Sequence, residues 1–206
     1  IAMGVLLISV IVVILFLILF LLNFYRDPKR KIPKGSNIVS PADGRVLKIL
    51  KVTNDKEIVK KGYIGKIETL TKDIAKECYV ISIFMSPLDV HANRAPIDGK
   101  VESIKHEKGK FFAAFNLKRS LMNEKNEIII KNKEIDRVKV IQIAGFLARR
   151  IICTVSKDEK VNKGQKIGKI VLGSQVTLIL PSKKVKLKAR INQKVFGGST
   201  IIADLR

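Results

Sequence analysis

The chain has 206 residues, enough for one membrane segment plus one compact domain, or for two small domains. Lysine and arginine number 40 against 18 aspartates and glutamates, a formal charge of +22 that favours an anionic partner: lipid headgroups, nucleic acid or an acidic substrate. Two cysteines without C-x-x-C spacing and two histidines argue against a disulfide framework or a zinc site, so Cys78 and Cys153 read as small apolar residues in strand-like runs and no metal is expected.

Residues 1–23 come first. Ile1 to Leu22 carries no charge and is long enough to cross a bilayer. A signal peptide has a shorter apolar core ending at small residues. Here the run ends instead in Asn23-Phe24-Tyr25-Arg26-Asp27-Pro28-Lys29-Arg30-Lys31, aromatics followed by a basic cluster. That is the pattern of a retained transmembrane anchor with the following domain on the cytoplasmic side of the cell membrane. The chain starts at Ile1, so a few residues or a further segment are expected before it. Residues 24–37 read as a basic juxtamembrane linker, able to set topology or to rest on anionic lipid.

From residue 38 to 206 the pattern changes to short apolar runs between glycine turns. Ile38–Ser40, Arg45–Val52, Cys78–Phe84, Lys100–Ile104, Glu127–Lys131 and Val138–Ile143 are rich in β-branched residues and partly alternate. Turns follow at Asn162–Gln165, Leu172–Ser174 and Phe196–Gly198. Ala113–Leu121 reads as a helical turn, and Ile143–Arg150 fits helix or strand. The fold class is therefore mostly β, a barrel or sandwich with few short helices, plus the N-terminal membrane helix. Val161–Ile170 and Ile191–Ala203 repeat a strand-turn-strand plan, with an echo at Val59–Ile67, similar to the hammerhead units of biotinyl and lipoyl carrier domains. No carrier lysine of the Met-Lys-Met kind accompanies them, and no phosphate-cradling glycine loop is present.

Three further segments form a set: Val39-Ser40-Pro41-Ala42-Asp43-Gly44-Arg45-Val46, then Phe84-Met85-Ser86-Pro87-Leu88-Asp89-Val90-His91-Ala92-Asn93-Arg94-Ala95-Pro96, then Gly197-Gly198-Ser199-Thr200. With Phe24–Pro28, Asn123-Glu124, Ile143–Ile151 and Gly168–Ser174, they resemble the phosphatidylserine decarboxylase family, specifically its short branch. The resemblance runs from Phe24 nearly to the end of the chain.

That resemblance implies a self-processing lyase of phospholipid biosynthesis. Ser199 would attack the Gly198 carbonyl, and the chain would part into 1–198 and 199–206, leaving a pyruvoyl group at residue 199. The pyruvoyl would form a Schiff base with a serine phospholipid and act as electron sink while CO2 leaves, so no external cofactor is expected. Substrate would be an anionic membrane phospholipid, phosphatidylserine or, as in archaeal chains of the branch, archaetidylserine with ether-linked tails; the product would be its ethanolamine counterpart. The two pieces would stay together as a heterodimer, with a higher homo-oligomer left open.

Serine needs a base. The resemblance places Asp43 in an Asp-His-Ser arrangement, orienting an imidazolium, with His91 as the histidine of the matching motif. Longer members carry a second histidine three residues on, where this chain has Arg94. His91 could then serve both processing and decarboxylation, or Asp43 or Asp89 could take one step. Arg149 and Arg150 could grip the substrate phosphate or carboxylate, or form structural ion pairs. Phe111 and Phe112 read as core or lipid-facing, and His106 as a solvated strand end.

Two other functions compete. A membrane-tethered hammerhead-like adaptor without catalysis would account for the anchor and the repeated units, but not for the three-motif set. A nucleic-acid-binding module rests on charge alone, without a groove-reading helix or interleaved aromatics, and no nucleic-acid partner is expected.

Overall fold

A computed structural model describes residues 2–53, 70–109, 122–145, 150–171 and 174–206. The expected turn at Ala113–Leu121, the pair Phe111 and Phe112, the Val59–Ile67 echo and Arg149 lie outside the described residues.

Helix α1 spans Ala2–Tyr25 and is exposed along nearly all its length, with Phe24 alone buried. A helix apolar all round, with its backbone bonded internally, suits a lipid environment, and this one is long and apolar enough to span a membrane. At its end the Arg26 guanidinium donates to the Asn23 carbonyl at 2.6 Å, satisfying a last-turn acceptor. Pro28 then prevents continuation.

The remainder is strand: β1 (Asn37–Val39), β2 (Gly44–Thr53), β3 (Glu77–Met85), β4 (Ala92–Arg94), β5 (Gly99–Glu107), β6 (Lys125–Asn132), β7 (Asp136–Ala144), β8 (Arg150–Cys153), β9 (Lys160–Val161), β10 (Lys166–Val171), β11 (Ser174–Pro181), β12 (Val185–Leu187), β13 (Lys194–Val195) and β14 (Ile201–Leu205). An eight-stranded sheet runs β13-β2-β3-β11-β7-β6-β5-β9, joined by three-stranded sheets β1-β14-β12 and β4-β10-β8. Register shifts at Val46/Lys48 and Val101/Ser103 bend the long strands, as an extra residue on one side of a ladder does. The mostly-β expectation holds, and each strand foreseen before residue 144 is present: the first is shifted back by one residue, and the others are lengthened by one to three residues at their ends.

Strand alternation sends residues to two cores. Ile81, Ile83, Ile128, Ile130, Val138, Val140, Leu178 and Leu180 enter the larger cluster. Their neighbours Val80, Ile129, Ile141 and Ile179 enter a smaller one with Leu70 and Ile74. With apolar side chains needed on both faces, the central strand β11 is buried at every position.

The strand-turn-strand units turn out to be corners between sheets. β9 pairs with β5, whereas β10 pairs with β4 and β8; β13 pairs with β2, whereas β14 pairs with β1 and β12. Each turn therefore carries the chain from one sheet to another. Cys78 and Cys153 are free, and burial pushes the Cys78 thiol up to about 11.

One buried charge went unforeseen. Lys139, in β7 with its side chain 1% exposed, donates to Asp73 at 2.7 Å, to the Leu70 carbonyl at 2.8 Å and to Glu127 at 3.1 Å. Asp73 is half-exposed, but removing Lys139 leaves the buried Glu127 without this cation. Lys139→Ala is expected to lower unfolding free energy by ~3–5 kcal/mol, and Lys139→Ala with Glu127→Leu by less, measured by denaturant titration of the detergent-solubilised chain.

Candidate active site

The three motif segments converge. Ser40 opens the first, and both its backbone groups reach the last: Ser40 N–H donates to Thr200 O at 2.8 Å, and Gly198 N–H donates to Ser40 O at 2.8 Å. The Ser40 hydroxyl closes its own turn on the Ala42 carbonyl at 2.6 Å. Arg94 N–H, from the middle segment, donates to Pro41 O at 2.8 Å.

This turn presents Asp43, which is 5% exposed. Its Oδ1 accepts the Gly197 N–H at 2.8 Å, and its two oxygens take the Arg30 guanidinium at 2.9 and 2.7 Å. Burial raises the Asp43 carboxyl above its ordinary range and Asp89 adds to the rise, while the Gly197 amide and Arg30 pull it back. The next residue, Gly44, has φ +146°, and a Cβ there would overlap the Phe84 carbonyl oxygen of β3. Only glycine lets Asp43 turn inward while β2 stays paired.

The C-terminal turn is held from within as well. Ser199 and Thr200 N–H both donate to Phe196 O at 3.0 Å, and Thr200 Oγ1 accepts the Phe196 N–H at 2.9 Å. Gly198 is buried at φ +78°, and a Cβ on it would lie 3.0 Å from Arg94 Cδ and 3.3 Å from Ile32 Cδ1. Ser199 is half-buried on this strained backbone.

His91 is 2% exposed. Its Nδ1 lies 2.8 Å from the Asp89 carbonyl, an acceptor, so the neutral ring carries its proton on Nδ1 and leaves a lone pair on Nε2. Nε2 is buried with no hydrogen-bond partner. Phe24 covers the ring with centroids 4.3 Å apart. Burial holds the imidazole below its usual value, helped by the Arg26 charge and opposed by the Asp89 carbonyl and carboxylate. The Asp89 carboxylate takes the Ser86 N–H at 2.8 Å and so fixes the loop that aims its own carbonyl at His91.

The geometry thus joins Asp43 to the Gly197–Ser199 turn and Asp89 to His91, with Asp43 bonded to Arg30 rather than to the imidazole. Arg94 gives one nitrogen to Gly164 O at 2.9 Å and pairs through the other with Asp27, which also takes Lys166 at 3.0 Å. Arg150 stands apart, exposed at the start of β8. His106 sits at the end of β5, half-exposed and 3.4 Å from Glu124.

Comparison with known proteins is consistent with this assembly. Residues 17–203 match the family model described as phosphatidylserine decarboxylase. The chain belongs to that family, a family of decarboxylases. It is 46% identical over 191 residues to a protein of Methanocaldococcus jannaschii assigned as an archaetidylserine decarboxylase proenzyme, covering 92% of each chain. It is 42% identical over 186 residues to a phosphatidylserine decarboxylase proenzyme of Chlorobium phaeobacteroides, covering 90% of this chain and 79% of that one. Against the proenzyme of Carboxydothermus hydrogenoformans the identity is 40% over 191 residues, covering 92% and 82%.

Sequence reading missed what residues 24–35 do here. Phe24, Asp27, Arg30 and Ile32 meet His91, Arg94, Asp43 and Gly164 in turn. Phe24–Pro28 belongs to the motif set, but residues 29–35 read only as a basic linker, and nothing in the wording pairs Arg30 with Asp43. The fixed backbone around Asp43 is open to a direct test. Gly44→Ala should cost ~1–3 kcal/mol from overpacking alone, with backbone strain in addition, whereas Arg45→Ala, at an exposed bond to Asn192 O, should fall within about 0.5 kcal/mol of the parent. Thermal melts of the two variants would separate them.

Proposed function

We propose that this protein is a self-processing, pyruvoyl-dependent phospholipid serine decarboxylase, anchored in the cell membrane by α1 with its β domain on the cytoplasmic side. The observation that carries the reading is the buried Asp43 carboxylate on the Gly197 amide, which holds Gly198 at φ +78° beside a half-buried Ser199. Family membership gives that turn its chemistry. The basic residues Arg26, Lys29, Arg30 and Lys31 after α1 give the orientation.

Ser199 Oγ attacks the Gly198 carbonyl carbon; the amide C–N bond breaks as the ester forms, and the freed amine takes a proton. Loss of the residue-199 α-proton then expels the Gly198 carboxylate and leaves dehydroalanine. Addition of water to it releases ammonia and leaves the pyruvoyl. His91 Nε2, unprotonated and unpartnered, is the base that fits these proton transfers. Asp43 orients the turn through Gly197 and stabilises positive charge nearby. Arg94 lays its Cδ carbon against Gly198 while its guanidinium is committed to Asp27 and the Gly164 carbonyl, so it walls the turn.

The residues fit the resulting group: the turn is glycine-lined and walled by Arg94 and Ile32 carbons, and the motif segment that supplies Arg94 also carries the unpartnered His91 Nε2. When formed, the ketone supplies the electron sink for CO2 loss from a serine headgroup. His91 then holds the proton that replaces the carboxylate. Substrate is a serine phospholipid, archaetidylserine or phosphatidylserine, and the product an ethanolamine phospholipid. The pieces 1–198 and 199–206 remain associated.

Intact-mass measurement of purified protein is expected to give two chains, the smaller blocked at its first residue, and Ser199→Ala to give one uncut chain without CO2 release. A single parent chain with an ordinary serine would overturn the proposal.

The pH dependence has a definite sign. A histidine whose folded value is depressed stays neutral to lower pH than a free one, so cleavage rises with pH and reaches its plateau early. The acid midpoint of the cleavage rate is expected below about 6.5, the ordinary histidine value; a midpoint above it would assign the proton transfer to another group.

A further inference from the structure

The last turn of α1 selects the face of the β domain that meets the bilayer. A helix of 24 residues is about 36 Å long at 1.5 Å per residue, against a hydrocarbon core of about 30 Å, so its final residues lie at headgroup depth. Three other elements are tied to those residues. The Arg26 guanidinium donates to Leu88 O at 2.8 Å, Phe24 lies on His91, and Lys169 Nζ sits 4.5 Å from the centre of the Tyr25 ring. The loop Ser86–Val90 and strand β10 are therefore held at the same depth.

What they present there suits lipid. Leu88, at the loop tip, is 67% exposed, although Val90 and His91 beside it are buried. Tyr25, one residue before the Arg26 that bonds the Leu88 carbonyl, is 54% exposed. In the β8–β10 ladder Lys169 lies opposite Ile152 and Val171 opposite Arg150, so Lys169 and Arg150 share one outward face. The acids nearby are engaged: Asp89 on the Ser86 amide, Asp27 between Arg94 and Lys166. The face is thus an apolar tip beside cations that form no ion pair among the described residues, continuous with the apolar helix α1.

We propose that this face is a membrane-docking surface, in which Leu88 enters the boundary between headgroups and acyl chains while Lys169 and Arg150 rest on anionic headgroups. The docked loop is the one whose Asp89 carbonyl orients His91, so docking sets the imidazole at the level of the substrate headgroup. The inference rests on the reading of α1 as a membrane span, and needs no catalytic turnover to be tested.

The chain contains no tryptophan, which makes single-tryptophan variants clean reporters. Leu88→Trp, Phe16→Trp within α1, and Lys133→Trp in the turn joining β6 to β7 would be placed in the full chain and reconstituted in phosphatidylglycerol/phosphatidylcholine vesicles, with and without brominated acyl chains. The position-88 reporter is expected to emit to the blue of the position-133 reporter and to be quenched by bromines near the headgroup end of the chains. Both effects should weaken in phosphatidylcholine alone, and with Lys169→Glu plus Arg150→Glu. Aqueous iodide quenching at position 88 equal to that at position 133 overturns docking if position 16 is still bromine-quenched; if position 16 is not, the membrane-span reading falls with it. Indifference to both lipid charge and the double charge reversal overturns the headgroup contact.

Discussion

Everything at the site hangs on one carboxylate held out of water by two donors from opposite ends of the chain. Asp43 takes Arg30 from the segment leaving α1 and the Gly197 amide from the segment entering β14. A buried carboxylate costs several kcal/mol in lost hydration, and charged hydrogen bonds return about 1.5–3 kcal/mol each, so two donors roughly balance the burial and one does not. The interaction is therefore a positional device more than a source of stability. It places the membrane exit, the first β turn and the C-terminal turn in a single arrangement.

Because Arg30 follows the helix so closely, the helix cannot be oriented independently of the site. Phe24 on His91, Arg26 on the Leu88 carbonyl and Asp27 between Arg94 and Lys166 repeat the same connection at successive residues. An ordinary tether would leave the domain free to tumble beneath the membrane. Here the loops carrying Asp43 and His91 are held partly by the segment leaving α1, which on the proposed reading of α1 as a membrane span ties their geometry to the bilayer normal. On the proposed reaction, a lipid headgroup emerges from the bilayer at the level where His91 is covered by the last buried residue of α1.

The same arrangement explains why the proposed cut need not loosen the fold. β14 is the middle strand of its sheet, paired with β1 from Asn37↔Asp204 to Val39↔Ile201 and with β12 from Val185↔Leu205 to Leu187↔Ala203. Ile202 and Ala203 are fully buried, and Lys188 meets Asp204 at 2.6 Å. Burial of a single isoleucine side chain contributes ~1.5–3 kcal/mol, and the ladder bonds on both sides add to it. On the proposed reaction, a fragment held this way keeps its second residue, Thr200, on Ser40 and Phe196 by noncovalent contacts alone. What was legible in the sequence follows from the range of each force. Strand runs and the apolar helix are written in local patterns, and the set of motifs containing Asp43, His91 and Ser199 is written in residue wording. The partners are not: Arg30 reaches Asp43 around a turn, Lys139 reads as a surface residue of an alternating strand, and the two hammerhead-like units become corners only when each of their strands finds a partner elsewhere.

Arg94 shows why one histidine suffices for a consistent scheme. Where the resemblance implies a second imidazole in longer members of the family, this chain has a guanidinium committed to Asp27 and the Gly164 carbonyl. Its Cδ carbon packs against Gly198, and a guanidinium has no acceptor with which to take up a proton. Of the two imidazoles, His106 lies at the β5 end on Glu124, leaving His91 as the one among the motif loops. Its tautomer is already set by the Asp89 carbonyl, which leaves Nε2 free to accept a proton in one step and return it in another. On the proposed reaction the Asp89 backbone carbonyl orients the imidazole while the Asp43 carboxylate holds the Gly197–Ser199 turn, so two aspartates share the positioning that a linear triad would give to one.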